Sequence, residues 1–354
     1  MSFAFLIFGE MNDTPKYILV TGGAGYIGSH TVVALSESGY IPIIIDDFRN
    51  ANRDVLERIS ALIDQELIHF SIACQNKERL RGVFSQFPVW GIIHFAADKS
   101  VGESVENPLK YFDNNMGGLV SILELAKEFE VNNFVFSSSC TVYGEPERIP
   151  VDESFPVSYS SPYGFTKKVN EEMIQQFAES QSNFKSTLLR YFNPVGAHKS
   201  GTLGEEPNGK PDNLLPYITQ TAAGIREELT IFGEDYDTPD GTCIRDYIHV
   251  VDLAEAHVEA LNQLEKSSKE VQIFNIGTGK GTSVLELVKF FEKNTNKKLK
   301  YKIGQRRKGD IPAIYANTDL AEKDLGWKSR LTVEDAVVDA WKFEEYIRNK
   351  RNQE

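Results

Sequence analysis

Cysteine is scarce in this chain. Its three thiols, Cys74, Cys140 and Cys243, are widely spaced, odd in number and without a CxxC pair, which indicates neither a disulfide framework nor a zinc site; a reducing cytoplasm is the simplest setting. The six histidines form no HxxxH or HExxH pair, so packing or surface roles are expected for them rather than metal ligation. Positive charge is in deficit as well: 38 Lys and Arg stand against 51 Asp and Glu, a net charge of −13. Nonspecific attraction to nucleic acid or to a membrane needs a basic field. Neither partner is therefore expected, and any anionic ligand must meet locally gathered cations. No window approaches the run of roughly 20 apolar residues that a membrane span requires. The start, Ser2 to Phe8, is apolar but lacks a basic region and a convincing small-residue cleavage site, so residues 1–15 read as an N-terminal extension and not as a signal. Internal repeats and low-complexity tracts are absent.

What is present is the pattern of an α/β protein. With 354 residues, 41% of them hydrophobic, the chain has material for one large domain or about two smaller ones. Apolar runs of strand length alternate with helical patterns from Lys16 to about Arg190, the signature of a parallel sheet wrapped by helices. Strands are expected at 17–20, 41–45, 67–71, 91–95, 133–137 and 187–190, with a strong helix over 117–129. Their apolar residues run on without alternation, which implies burial on both faces. Beyond Arg190 the regularity breaks at a Gly/Pro/Asn-rich stretch, Gly201 to Pro211, where a ligand lid or second lobe would form. Helices are expected there at 250–264, 284–291 and 333–346, and short strands at 230–232 and 273–275. The expected fold class is α/β: a Rossmann-type doubly wound parallel sheet with a smaller C-terminal mixed α/β lobe.

The first strand runs into a turn with Gly22, Gly25 and Gly28 ahead of a helical pattern. Such glycines let backbone approach a pyrophosphate, whose charge is met by amides at the helix N-terminus. Asp46 ends the second strand, 24 positions after Gly22, close to the spacing at which a carboxylate takes the adenosine ribose hydroxyls. Its charge repels a 2′-phosphate and favours NAD over NADP, with Arg49 as the one nearby residue that speaks for NADP. Further on, Ser137, Ser138 and Ser139 stand at the end of the fifth strand, and Tyr163 precedes Lys167 by four positions. On a helix that spacing places both on one face, where an ammonium is expected to pull a phenol from its usual value of about 10 toward working pH.

Together these stretches are recognisable. TGGAGYIGSH from Thr21, HFAADKSVGES from His94, YFDNN from Tyr111, FSSSCTVYGE from Phe136, SPYG from Ser161, LRYFNPVGAH from Leu189, NLLPYI from Asn213 and RDYIHVVDLA from Arg245 resemble the extended short-chain dehydrogenase/reductase superfamily. Within it, the resemblance is to the UDP-glucose (UDP-galactose) 4-epimerases, over about Lys16 to Trp341. It implies an NAD-binding Rossmann domain over 16–190 and a lobe over 191–354 that mainly binds UDP-hexose, with some segments returning to the Rossmann domain. It implies catalysis by Ser139, Tyr163 and Lys167. NAD would be met by Gly22, Gly25, Tyr26, Ile27, Gly28, Asp46, Asp47, Phe48, Asn50, Ala51, Ala73, Cys74, Phe95, Ala96, Lys99, Asn114, Ser139, Tyr163, Lys167 and Phe192. The nucleotide sugar would be met by Lys99, Ser139, Tyr163, Asn193, Asn213, Leu214, Phe232, Arg245, Arg307 and Asp310.

The implied reaction is a closed redox cycle: Tyr163 takes the C4 hydroxyl proton as hydride leaves for NAD, the 4-keto sugar turns over, and hydride returns to its other face. Binding energy then has to reside in UDP, since tight sugar contacts would resist the rotation. A homodimer through two long helices, 117–129 and 167–178, is also implied. Three positions depart from the family pattern. Where many relatives carry an adenine-contacting Asp after the third strand, this chain reads Ile72-Ala73-Cys74-Gln75-Asn76, so Gln75, Asn76 or backbone groups have to substitute. Cys140 follows the serines and reads as packing, and the branched Ile314 leans toward plain glucose and galactose over N-acetylated hexoses. A 4,6-dehydratase would need an acid/base pair after the serine that Ser139-Cys140-Thr141 does not offer, and a noncatalytic NAD sensor would be free to lose the tyrosine and serine that are kept.

Overall fold

A computed structural model describes residues 14–307 and 309–352; the expected extension falls, over 1–13, outside the described residues. Seven strands form one parallel sheet: β1 Tyr17–Thr21, β2 Ile41–Asp46, β3 Ile68–Ser71, β4 Val89–His94, β5 Asn133–Ser137, β6 Lys185–Tyr191, and a late strand Val271–Ile276. Their order across the sheet is the late strand, β6, β5, β4, β1, β2, β3. The expected alternation is therefore found, with strand ends moved by one or two residues.

Successive strand residues face opposite sides of the sheet, and both sides are covered. Ile18, Val20, Ile44 and Ile93 pack with Val32 and Leu35 of helix Tyr26–Glu37 and with Leu253 and Leu261 of helix Val250–Lys266. Leu19, Ile43, Ile45 and Ile92 pack on the other side against helices Lys77–Gln86, Gly118–Glu128 and Pro162–Glu179, through Leu80, Ile122 and Ile174. Each fully buried aliphatic side chain contributes about 1.5–3 kcal/mol relative to exposure, which is why the unbroken apolar runs form central strands.

β1 is flanked by β2 on one side and β4 on the other, so the chain reverses direction across the sheet between them. A crevice opens there at the C-terminal strand ends, where such sheets bind ligands.

Past Arg190 the chain builds a second core from Leu215, Ile218, Ile231, Leu287, Phe291 and Trp341. Small pairings frame it: Leu229–Phe232 with Tyr301–Gly304, Asn193–Val195 with Tyr247–His249, and Ile244–Arg245 between Thr282–Ser283 and Ala313–Ile314. The strand expected at 273–275 is longer, Val271–Ile276, and joins the main sheet beside β6. A six-residue π-helical turn, Phe112–Gly117, precedes helix Gly118–Glu128; such turns widen a helix locally and often serve sites. Among the described residues no helix is long and apolar enough to cross a membrane.

Candidate active site

The glycine turn after β1 is shaped by what it cannot accommodate. Gly22 has φ +70°, and a Cβ there would lie 2.8 Å from Ala96 N; at Gly28 a Cβ would lie 2.2 Å from Gly22 O. The turn thus sits tight between β1, the end of β4 and its own helix. Gly25, the N-cap of helix Tyr26–Glu37, brings no side chain to the first turn, which leaves those amides available to an anion. The arrangement fits the pyrophosphate of a dinucleotide. Tyr26 fastens the turn from behind, its hydroxyl donating to Gly196 O at 2.7 Å.

Asp46 lies at the far side of this turn. Its Oδ2 accepts from Ala24 N at 3.1 Å and its Oδ1 from Phe48 N at 2.8 Å; each oxygen keeps a lone pair for a ribose hydroxyl. Burial pushes this carboxyl above its usual value, against the pull of those two amides. Arg49, the residue that spoke for NADP, is spoken for itself: its Nε donates to Asp47 Oδ2 at 2.6 Å. Beyond β3, Asn76 accepts from Arg79 N as a helix cap, Gln75 Nε2 donates to Asn114 Oδ1 at 2.8 Å, and neither lines the cleft, whereas Ala73 and Cys74 do.

One continuous cleft is lined by Gly22, Gly25, Tyr26, Ile27, Gly28, Asp46, Asp47, Asn50, Ala51, Ala73, Cys74, Phe95, Ala96, Lys99, Asn114, Ser139, Tyr163, Lys167, Phe192, Asn193 and Asn213. Phe48 is outside this lining: its backbone is left-handed, at φ 61°, and the Arg53 guanidinium stands 4.3 Å over its ring. Leu214, Phe232, Arg245, Arg307 and Asp310 are also outside the lining. Four of these five gather in the C-terminal lobe. Arg307 grips Asp310 through two hydrogen bonds of 3.0 Å, Arg245 stands 3.8 Å from the same carboxylate, and Arg307 lies 5.4 Å from the Phe232 ring centre. Arg245 is paired in register with Ile314, and its neighbour Asp246 accepts from Asn193 N at 2.9 Å through the backbone, so the group connects to the cleft wall. Two arginines around one carboxylate leave net positive charge suited to a diphosphate.

The three serines at the end of β5 do three different jobs. Ser137 O accepts from Lys167 Nζ at 2.6 Å. Ser138 Oγ donates to Glu171 Oε1 at 2.5 Å. Ser139 caps the short turn Cys140–Tyr143, its Oγ accepting from Thr141 N at 3.2 Å, and lines the cleft beside Tyr163. Cys140 packs on the edge of the cluster of Val142, Tyr143, Val151, Phe192 and Ile314, and burial pushes its thiol up to about 12.

Tyr163 and Lys167 share a helix face as expected, but the acidified phenol is not what the protein alone produces. Burial drives the Tyr163 hydroxyl well above its usual value, with the Ser139 hydrogen bond pulling only partly the other way. Burial also lowers Lys167 to about 7, against the attraction of Glu171. The ammonium donates to a carbonyl and stands 5.9 Å from the Tyr163 ring centre, so desolvation outweighs their mutual help. Spacing revealed the pairing and could not reveal the depth of its burial.

Sequence reasoning missed several residues that share this cleft. Tyr191 accepts from Ser137 Oγ at 3.0 Å. Glu205 takes both Lys99 and Asn213, and Arg58 reaches Glu206 across the opening. The only signal for the acidic pair was its place in the irregular stretch after Gly201.

Comparison with known proteins agrees with this geometry. The model of the NAD dependent epimerase/dehydratase family matches residues 18–277. A UDP-glucose 4-epimerase of Dictyostelium discoideum is 46% identical over 334 residues, 94% of this chain and 97% of that protein; the Homo sapiens UDP-glucose 4-epimerase is also 46% identical, over 92% and 96%. The crystal structure of a UDP-glucose 4-epimerase from Stenotrophomonas maltophila with bound NAD and formylated UDP-arabinopyranose superposes with a TM-score of 0.92 at 42% identity, covering 95% of this chain and 99% of that one. One from Bifidobacterium longum in complex with NAD+ and UDP gives 0.91 at 41%, covering 94% and 99%. With its glycine cradle, its serine, tyrosine and lysine in one cleft, and these relatives along nearly its whole length, the chain belongs to the NAD dependent epimerase/dehydratase family.

Proposed function

We propose that this protein interconverts UDP-glucose and UDP-galactose by transient oxidation at C4, serving galactose metabolism and the supply of UDP-galactose for glycan synthesis. The observation that carries the reading is the meeting of Ser139, Tyr163 and Lys167 in a cleft that begins at the glycine cradle. When bound, NAD supplies a reversible hydride acceptor and a positive ring charge that favours the phenolate. Gly22, Gly25 and Gly28 would hold its pyrophosphate and Asp46 its ribose. Tyr163 takes the C4 hydroxyl proton and later gives it back, Ser139 orients that oxygen, and Lys167 offsets charge on the phenol oxygen. Arg245, Arg307 and Asn213 hold the UDP portion, which leaves the 4-keto ring free to turn between the two half-reactions.

The test is incubation of the purified protein with UDP-galactose and assay for UDP-glucose. A deoxy-keto product would move the reading to a dehydratase, and NAD binding without turnover would move it to a sensor. We also propose a cytoplasmic setting, a cofactor domain over 16–190 with a sugar-nucleotide lobe after it, and a homodimer through helices Gly118–Glu128 and Pro162–Glu179. Exposed Val105, Leu109 and Val120, at 63%, 77% and 42%, would be covered by such a contact. Light scattering that found only monomer would exclude the dimer.

A further inference from the structure

The segment from Gly204 to Asn213 leaves the C-terminal lobe and lies along the cofactor half of the cleft, where it is fastened from outside. Glu206 accepts from Arg58 at 2.7 Å and from Arg351 at 3.1 Å. Asn208 Nδ2 donates to Arg49 O at 3.4 Å. The Arg58 side chain is only 6% exposed, so its bond to Glu206 is largely shielded from solvent and strengthened accordingly.

Inside the cleft the neighbouring carboxylate does something different. One oxygen, Glu205 Oε1, accepts from Lys99 Nζ at 3.0 Å and from Asn213 Nδ2 at 2.7 Å. Lys99 comes from the loop after β4, on the sheet side; Asn213 opens helix Leu214–Ala222, on the lobe side. Asparagine at a helix N-cap ordinarily accepts from an amide of its own first turn, yet Asn213 makes no such bond. Its amide is given to Glu205 instead.

Resting on the function proposed above, we infer that Glu205 is a positioning residue: it holds the cofactor-side cation Lys99 and the substrate-side amide Asn213 at a fixed separation, so that both meet their ligands as one preorganised unit. Lysine has a flexible four-carbon stem, and without its partner Lys99 would have to be ordered at the expense of binding. Lys99 keeps further N–H donors and Asn213 a second one, so both can serve a ligand while Glu205 holds them. Tyr163 is untouched by this link, so its loss should weaken binding and spare the proton transfer.

Glu205→Gln keeps an oxygen for Asn213 and removes the charge that holds Lys99. The Lys99 side chain is 57% exposed, so solvent screens the pair and its loss corresponds to about two- to fivefold in affinity. Glu205→Gln should therefore release bound NAD about two- to fivefold faster on dilution and raise KM for UDP-galactose by a similar factor, with kcat at saturating NAD and sugar about that of wild type. Glu205→Asp, which restores the charge, should recover part of the retention. The double variant Glu205→Gln with Lys99→Met should release NAD no faster than Lys99→Met alone, because both remove one link. Additive effects in that cycle, wild-type release and KM in Glu205→Gln, or a fall in kcat at unchanged KM would each overturn the inference. NAD release is read with no sugar present, so a failed epimerase assay beside faster release would refute the function proposed above and leave the Glu205 link standing.

Discussion

Tyr163 and Lys167 lie where burial and charge oppose one another. In the protein alone burial prevails, holding the phenol protonated and bringing Lys167 to about 7. Lys167, poised near neutrality, responds to each charge brought into the cleft, and a positive charge beside the buried phenol favours its ionisation. Tyr163→Phe removes the hydroxyl and little else. Its turnover should fall by about 10²- to 10⁴-fold, with UDP-galactose affinity near that of wild type by calorimetry. Turnover close to wild type would remove Tyr163 as the proton-transfer group. Gly28 gives a second residue-scale test: with only 2.2 Å between a new Cβ and Gly22 O, Gly28→Ala has to push the turn open, and NAD binding measured by fluorescence should be largely lost.

At the scale of elements, helix Pro162–Glu179 carries Tyr163 and Lys167 together with their support. Ser161 caps it, accepting from Gly164 N at 3.1 Å, and Pro162 occupies the first turn, where no N–H is missed. Tyr163, Lys167 and Glu171 follow at intervals of four along one face. Glu171 then reaches two other elements: Arg190 on β6 grips it at 2.6 and 2.9 Å, and Ser138 after β5 donates to it. Arg190 also donates to Tyr143 OH at 3.1 Å, and Tyr143 to Asn275 on the late strand at 2.6 Å. The helix is thereby fixed to the strand ends that surround the cleft. Breaking a buried pair costs about 3–5 kcal/mol because a charge is left unpaired. Arg190→Met should lose about that much in urea unfolding, and the double variant with Glu171→Met should lose less. Equal or larger loss in the double variant would mean that the pair is not what ties these elements together.

For the whole molecule, stability should depend on acid through histidines that have no solvent. His30 and His94 are pushed down to about 3 and His257 to about 4, in each case chiefly by burial. The unfolded chain takes up these protons below its ordinary value of about 6.5, while the folded chain refuses them until about 3 to 4. Unfolding therefore binds protons across that window, and stability falls as pH falls through it. Between pH 7 and 5 each such histidine should cost about 2 kcal/mol of stability. Urea midpoints across this range check the slope, and a flat profile would mean that these imidazoles reach water.

The sequence by itself determined the sheet, the cradle and the pairing of Tyr163 with Lys167 on one helix face. Long apolar strands can be buried only between two layers of helices, and glycines at 22, 25 and 28 between a strand and a helix let backbone approach an anion. Tyr163 and Lys167 were legible because a helix turns once in about 3.6 residues. Tertiary structure decided the rest, since burial and charge pairing join residues that are distant in the chain. It placed Val271–Ile276 in the main sheet, dehydrated the tyrosine and lysine far enough to reverse the expected shift in acidity, and brought Glu205 against Lys99, 106 positions away. No local pattern encodes such a meeting, because its free energy exists only once the two lobes have closed on the same cleft.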